Sequence, residues 1–170
     1  MSEEEERRLI AGVIETIARH QRHPPTGWMG PGLSESRVTP DLLEEAGYRY
    51  LMDWGPDDQP IWMKTRGGRI LLIPYPKPTG DIAAIHGYHV TPSDYADMMI
   101  DQFDEMLRQS RSQPLIYALS LHAYIMGHPF RLKHLRRILE HIGAHRDEIW
   151  LAPTGQIAEH VMGLPSGVVP

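Results

Sequence analysis

Two hydrophobic periods alternate along this chain, and that alternation limits the folds open to it more than any other feature. Ser2 and Glu5 have capping-box spacing, and Leu9, Ile10, Val13, Ile14 and Ile17 then recur at helical intervals, predicting a helix from about residue 3 to about 20. The prolines of RHPPTG end it. WMG reads as the stub of a strand and PGLSESR as a loop. Thr39-Pro40 is a cap followed by a first-turn proline, opening a helix, DLLEEA, that stops at Gly47. YRYLMDW (48–54) reads as a strand, and IWMKT and RILLIPY, joined by RGG, as a β-hairpin. A proline-rich loop leads to Thr91-Pro92 and a helix to about Gln109, with Tyr95, Met98, Met99, Phe103, Met106 and Leu107 on its inner side. A strand LIYALSL (115–121), a helix FRLKHLRRILEHIGAH, a short strand EIWLA and a helix TGQIAEHV follow, and GLPSGVVP is a frayed tail. This order predicts an α/β domain with mostly parallel strands, sheet or barrel. Roughly four βα units are visible, where a closed barrel has about eight.

At 170 residues the chain fits one domain, 1–162, with 163–170 as its tail. Its formal net charge of −5, without a Lys/Arg block, argues against nucleic acid as a partner. The absence of cysteine excludes disulfides, thiolate metal sites and a cysteine nucleophile, and suits a cytoplasmic protein. MSEEEERR is charged where a secretory signal would be apolar. No segment approaches the ~18 consecutive apolar residues of a membrane span.

In parallel α/β folds, functional groups collect beyond the carboxyl ends of the strands. There the sequence places Asp53 and Trp54 after YRYLM, His122 after LIYALSL, Pro153 and Thr154 after EIWLA, and Ser34, Glu35 and Ser36 near another strand end. An imidazole titrating near ~6.5 suits proton transfer around neutrality, and an acidic neighbour such as Asp53 would orient it. The competing reading of His122 is a strand cap bonded to a backbone carbonyl. His128 shares its loop, as pocket lining or as packing. Trp54 is a pocket wall or a core indole. His86 and His89 could ligate a metal as a pair, but without a nearby carboxylate they make a weak site. His141 and His145 have the spacing of a two-histidine ligand pair. They stand among Arg136, Arg137 and Arg146 without an adjacent glutamate, and read as solvated helix face. No phosphate loop and no GxSxG elbow is present.

GWMGPGLSESRVTPDLLEEAGYRYLMDWGPDDQPIW followed by LSLHAYIMGHPFRLKHLRRILEHI resembles the polysaccharide deacetylase (NodB-homology) family, nearest its peptidoglycan-deacetylase-like and allantoinase-like members. The resemblance covers about residues 4 to 162 and implies an incomplete (β/α) barrel of the NodB-homology type, about four βα units with a hairpin insertion. It also implies hydrolysis of amide C–N bonds in N-acetylated sugars or cyclic amides. His122 matches the family's LxH histidine, which protonates the leaving nitrogen, with Leu119 and Leu121 as the apolar wall before it. Asp53 and Trp54 match the motif that tunes and walls the site, with Glu35 also shaping the pocket. Pro31 falls in the place of an Arg-x-x-Pro motif whose arginine is missing, with Arg37 nearby in sequence.

The family's metal-dependent members hold a zinc-like ion with an Asp and two His, and use another Asp as base. Those motifs precede the helix that begins at Glu3, so the resemblance is to the C-terminal half, with no metal bound by this chain alone. Amide hydrolysis needs an activated water as well as an acid, so negligible activity is expected of the isolated chain. Three readings stand: an N-acetyl-sugar or peptidoglycan deacetylase, a cyclic-amide (allantoinase- or imidase-like) hydrolase, and a non-catalytic carbohydrate-binding or assembly module. An unclosed barrel leaves strand edges and apolar surface to cover, which predicts a homo-oligomer or association with a missing N-terminal half.

Overall fold

The computed structural model describes residues 1–170, which divide into two compact units, residues 1–74 with 153–170 and residues 75–152. In the first unit, α1 (Glu3–Ala18) starts on the expected capping box, with Ser2 and Glu5 each accepting from the other's backbone N–H. β1 (Gly27–Trp28), β2 (Tyr50–Leu51), β3 (Ile61–Lys64) and β4 (Arg69–Leu72) form one sheet in the order β1-β2-β4-β3. β1, β2 and β4 are parallel, and β3 pairs antiparallel with β4 as the predicted hairpin. Ile70 to Ile73 are buried, as a strand covered on both faces requires. α2 (Thr39–Glu45) ends at Gly47, whose φ of +92° is the left-handed conformation that lets the chain leave the helix toward β2. Ile10, Leu42, Leu43, Tyr48, Leu51, Ile70 and Leu72 make the core of this unit. α6 (Thr154–Met162) belongs to it as well.

In the second unit a π-helical turn (Ile82–Gly87) precedes α3 (Pro92–Gln109), which Thr91 caps by accepting from Asp94 N–H. The short α4 (Ala123–Met126) and α5 (Pro129–Ala144) follow. Tyr95, Ala96, Met99, Ile125, Met126 and Ile138 form a buried core, with Ala84 and Ile85 of the π turn packed into it.

Four expectations change. Residues 115–121 and 148–152 join no sheet ladder, although their apolar sequences read as strands. Apolar content supplies burial but not a partner, and a strand exists only where a neighbour exchanges backbone hydrogen bonds with it. Residues 82–87, placed in a loop, are helical. Thr39 does not cap α2; the cap position is Val38, without a side-chain bond. Instead Thr39 Oγ1 donates to the carboxylate of the buried Glu6 on α1 and accepts from Ser36 N–H. The tail, finally, is not free of the sheet, because Trp62 N–H donates to the Pro170 carbonyl at 2.7 Å.

The Thr39 hydroxyl ties α1, α2 and the loop carrying Glu35 to one point. Thr39→Val keeps the shape and leaves the Glu6 carboxylate without this donor, which costs about 1–3 kcal/mol. Urea unfolding should show that loss, and an unchanged midpoint would remove Glu6–Thr39 from the account.

Candidate active site

Two groups of functional side chains are built, one in each unit. The first arises from strand register. Because Trp28 lies beside Leu51 in parallel pairing, the residues two positions further on, Gly30 and Asp53, emerge together at the carboxyl ends of β1 and β2. The Gly30 N–H donates to both Asp53 carboxylate oxygens, at 2.8 and 3.0 Å. A Cβ on Gly30 would stand 2.8 Å from the Ser34 carbonyl and 3.0 Å from Asp53 Oδ2, so the close approach needs glycine. Past the single 3-10 turn Pro31–Leu33, the loop returns Glu35, whose Oε2 accepts from Trp54 Nε1–H at 2.5 Å. Its other oxygen, Oε1, is buried without a hydrogen-bond partner.

That environment sets the titration of both acids. Burial pushes Glu35 up to about 7, opposed by the Trp54 N–H and reinforced by the neighbouring Asp53 carboxylate. Burial raises Asp53 as well, against the stabilising Gly30 N–H. Two carboxyl groups this close share protons as a pair, and the pair can hold one proton near neutrality.

The second group centres on His122. Asp81, completely buried at the start of the π turn, accepts the His122 backbone N–H on Oδ2 at 2.6 Å and the ring Nδ1–H on Oδ1 at 2.7 Å. An ionised carboxylate only accepts, so the ring proton lies on Nδ1 and Nε2 is left to take up or release a proton. The side chain is 34% exposed, enough for a reactant to reach it. Asp81 is itself fixed, since its N–H donates to the Ser120 carbonyl at 3.1 Å, and the Ser120 hydroxyl shares a hydrogen bond with Tyr75. His122 thus has a positioned base nitrogen on a rigid mount, as proton transfer requires.

No family model matches the chain. It is similar to the peptidoglycan deacetylase of Helicobacter pylori (strain ATCC 700392 / 26695), at 25% identity over 184 residues covering 89% of this chain and 62% of the relative. Among solved structures, the Puue allantoinase matches with a TM-score of 0.83 and 27% identity, over 94% of this chain and 53% of its own. A probable polysaccharide deacetylase from Pseudomonas aeruginosa PAO1 gives 0.81 and 27%, over 94% and 54%. The chain is polysaccharide-deacetylase-like, of the NodB-homology type. Its fold is the α/β, partial-barrel type that the sequence predicts, and it spans 62% of the curated relative and little over half of the solved chains.

In this deacetylase-like chain, Asp53, Trp54 and Glu35 come together as one hydrogen-bonded cluster. The carboxylate on His122, for which the sequence offered Asp53, is Asp81. The reason is local: the π turn aims Asp81 at both a backbone and a ring N–H, while Asp53 is occupied by Gly30. Trp54 is 48% exposed and tied to Glu35 rather than packed in a core. Pro31 is the exposed first residue of the 3-10 turn. His128 is the exposed residue before α5 and stacks on Phe130, and Leu121 is exposed as well. The signal for Asp81 was an acidic residue directly before an apolar helical stretch, hidden by the prolines ahead of it.

Glu35 binds its proton more tightly in the folded than in the unfolded chain. Between about 4.5 and about 7 the folded state therefore holds an extra proton, and stability from this group is present in acid and lost as pH rises through 7. The difference in melting temperature between the wild-type protein and Glu35→Gln should fall across that window. A difference independent of pH would mean that Glu35 titrates normally.

Proposed function

We propose that this chain serves hydrolysis of the amide C–N bond of N-acetylated sugars, of the peptidoglycan or related polysaccharide type, with His122 delivering the proton to the leaving nitrogen. The observation that carries the reading is the Asp81–His122 pair in a polysaccharide-deacetylase-like fold. Breaking an amide expels an amine, which leaves only if protonated as the tetrahedral intermediate collapses. Asp81 holds Nδ1–H, and Nε2–H of the imidazolium is the proton given. Asp81 positions His122; it takes no proton itself. The Asp53–Glu35 pair is a second acid/base group and takes no part in this step.

A divalent metal of the zinc class is what the resemblance implies for activating the attacking water. The Asp and His side chains of this chain that stand close enough to hold an ion are Asp104, His141 and His145. His141 is 13 residues along α5 from His128, about 20 Å at 1.5 Å per residue. His122 is bonded to Asp81 and packs on Tyr124, whereas the cluster packs on Phe103 and bonds to none of these, so no step is routed through a metal there.

A cyclic amide is the second reading, favoured by the match to an allantoinase. Its chemistry also ends in protonation of a nitrogen leaving group, so His122 would keep its role.

The experiment is amine release from N-acetylglucosamine oligomers by the protein purified from its own cells. His122→Ala should lower the rate by about 10²–10⁴-fold. Asp81→Asn should lower it by a comparable factor, since an amide has one acceptor oxygen for two N–H groups and its NH2, turned to the ring, selects the wrong tautomer. Opening of hydantoin or succinimide rings without oligomer turnover would select the second reading. Turnover unaffected by His122→Ala would overturn both, and sugar binding without turnover would leave a binding module.

A further inference from the structure

We propose that Asp104 of α3, His141 of α5 and His145 at the C-terminal cap of α5 form a binding site for a divalent transition-metal ion of the zinc class, one that clasps these two helices. This site is separate from the hydrolytic reading and does not depend on it.

The ligand set is the first argument. His141 and His145 stand four apart on one face of the end of α5, the spacing at which two imidazoles reach one ion. Asp104 supplies a carboxylate from the neighbouring helix, and one ligand atom from each residue lies within 4.8 Å of the others. Tetrahedral zinc, with bonds of about 2.0–2.1 Å, needs ligand atoms about 3.3 Å apart. Asp104 Oδ1 and His141 Nε2 are 2.6 Å apart, so an ion entering between them must separate this pair a little and draw His145 inward.

The mounting of the rings is the second, independent argument. The Nδ1 of His145 is held at 2.8 Å by Glu148 Oε1, which leaves Nε2 as its ligand atom. A carboxylate behind a ligating imidazole, fixing its tautomer, is the usual support of a zinc-bound histidine. Phe103 packs against both rings, with centroids 5.8 Å from His141 and 5.6 Å from His145, and is itself buried. The two imidazoles, 29% and 32% exposed, are partly shielded from water yet open on one side to an entering ion. Two carboxylates beside two imidazole rings, Asp104 on His141 and Glu148 on His145, match a doubly charged cation. The bond from α3 to α5 would then add to the packing of Met99 and Ile138 beneath.

Cobalt(II) titration of the full chain, stripped with a chelator, tests the site, because its visible bands report low-coordinate nitrogen and oxygen ligation. One equivalent should bind, zinc should displace it, and zinc should raise the melting temperature of the protein. His141→Asn and His145→Asn should each weaken binding at least tenfold, whereas His122→Asn should leave it unchanged. Should an imidazole variant fail to fold, Asp104→Asn alters only a half-exposed carboxylate and should weaken binding in the same direction. No saturable binding up to millimolar metal, or wild-type affinity in Asp104→Asn and in the two histidine variants, would overturn the proposal.

Discussion

A buried carboxylate with two N–H groups to satisfy organises the reactive part of this protein. Removing a carboxylate from water is costly unless its oxygens are bonded, and Asp81 is completely buried. Its oxygens take the backbone N–H and the ring N–H of the same residue, His122. Position and tautomer of the imidazole are therefore set by one constraint: neither can change without leaving an oxygen of Asp81 unpaired. Bonds from Asp81 N–H to Ser120 and from Ser120 to Tyr75 carry that constraint into the chain on either side. Residues 115–121 need no sheet ladder to present His122, because the carboxylate does it.

The Asp53–Glu35–Trp54 cluster rests on a different principle. Parallel pairing of β1 and β2 places Gly30 beside Asp53, and only a residue without a side chain allows the approach. Glu35 then meets a negative neighbour and a partly dry pocket, and retains its proton to a pH where solvated carboxyl groups have long lost theirs. Its bond to Trp54 turns the indole into a support for the acid. The Glu6–Thr39 contact holds the returning loop from below.

Much of this was legible in the residues. Helix periodicity and caps gave α1, α3 and α5 within a few positions, and the RGG turn between apolar runs gave the β3–β4 hairpin. The motifs LSLH and MDW, read against a family, pointed to the polysaccharide-deacetylase type that the comparisons bear out. Other features depended on contacts that no local pattern encodes. Residues 115–121 have strand composition, yet a strand requires a partner that this chain does not place beside them. Asp81 looked like one more polar residue in a proline-rich loop, and its role appears only when a helical turn folds it under His122. For His141 and His145 the arginines of α5 suggested a solvated face, whereas Asp104 comes from another helix and Glu148 from beyond the helix end.

The central claim is that Asp81 holds His122 with Nδ1 protonated and Nε2 free. Nitrogen-15 NMR of the labelled imidazole at alkaline pH measures this directly. The account predicts the Nδ1–H tautomer, with a ring proton that exchanges slowly and is lost in Asp81→Ala. An Nε2–H tautomer, or a ring averaging freely between the two, would contradict it.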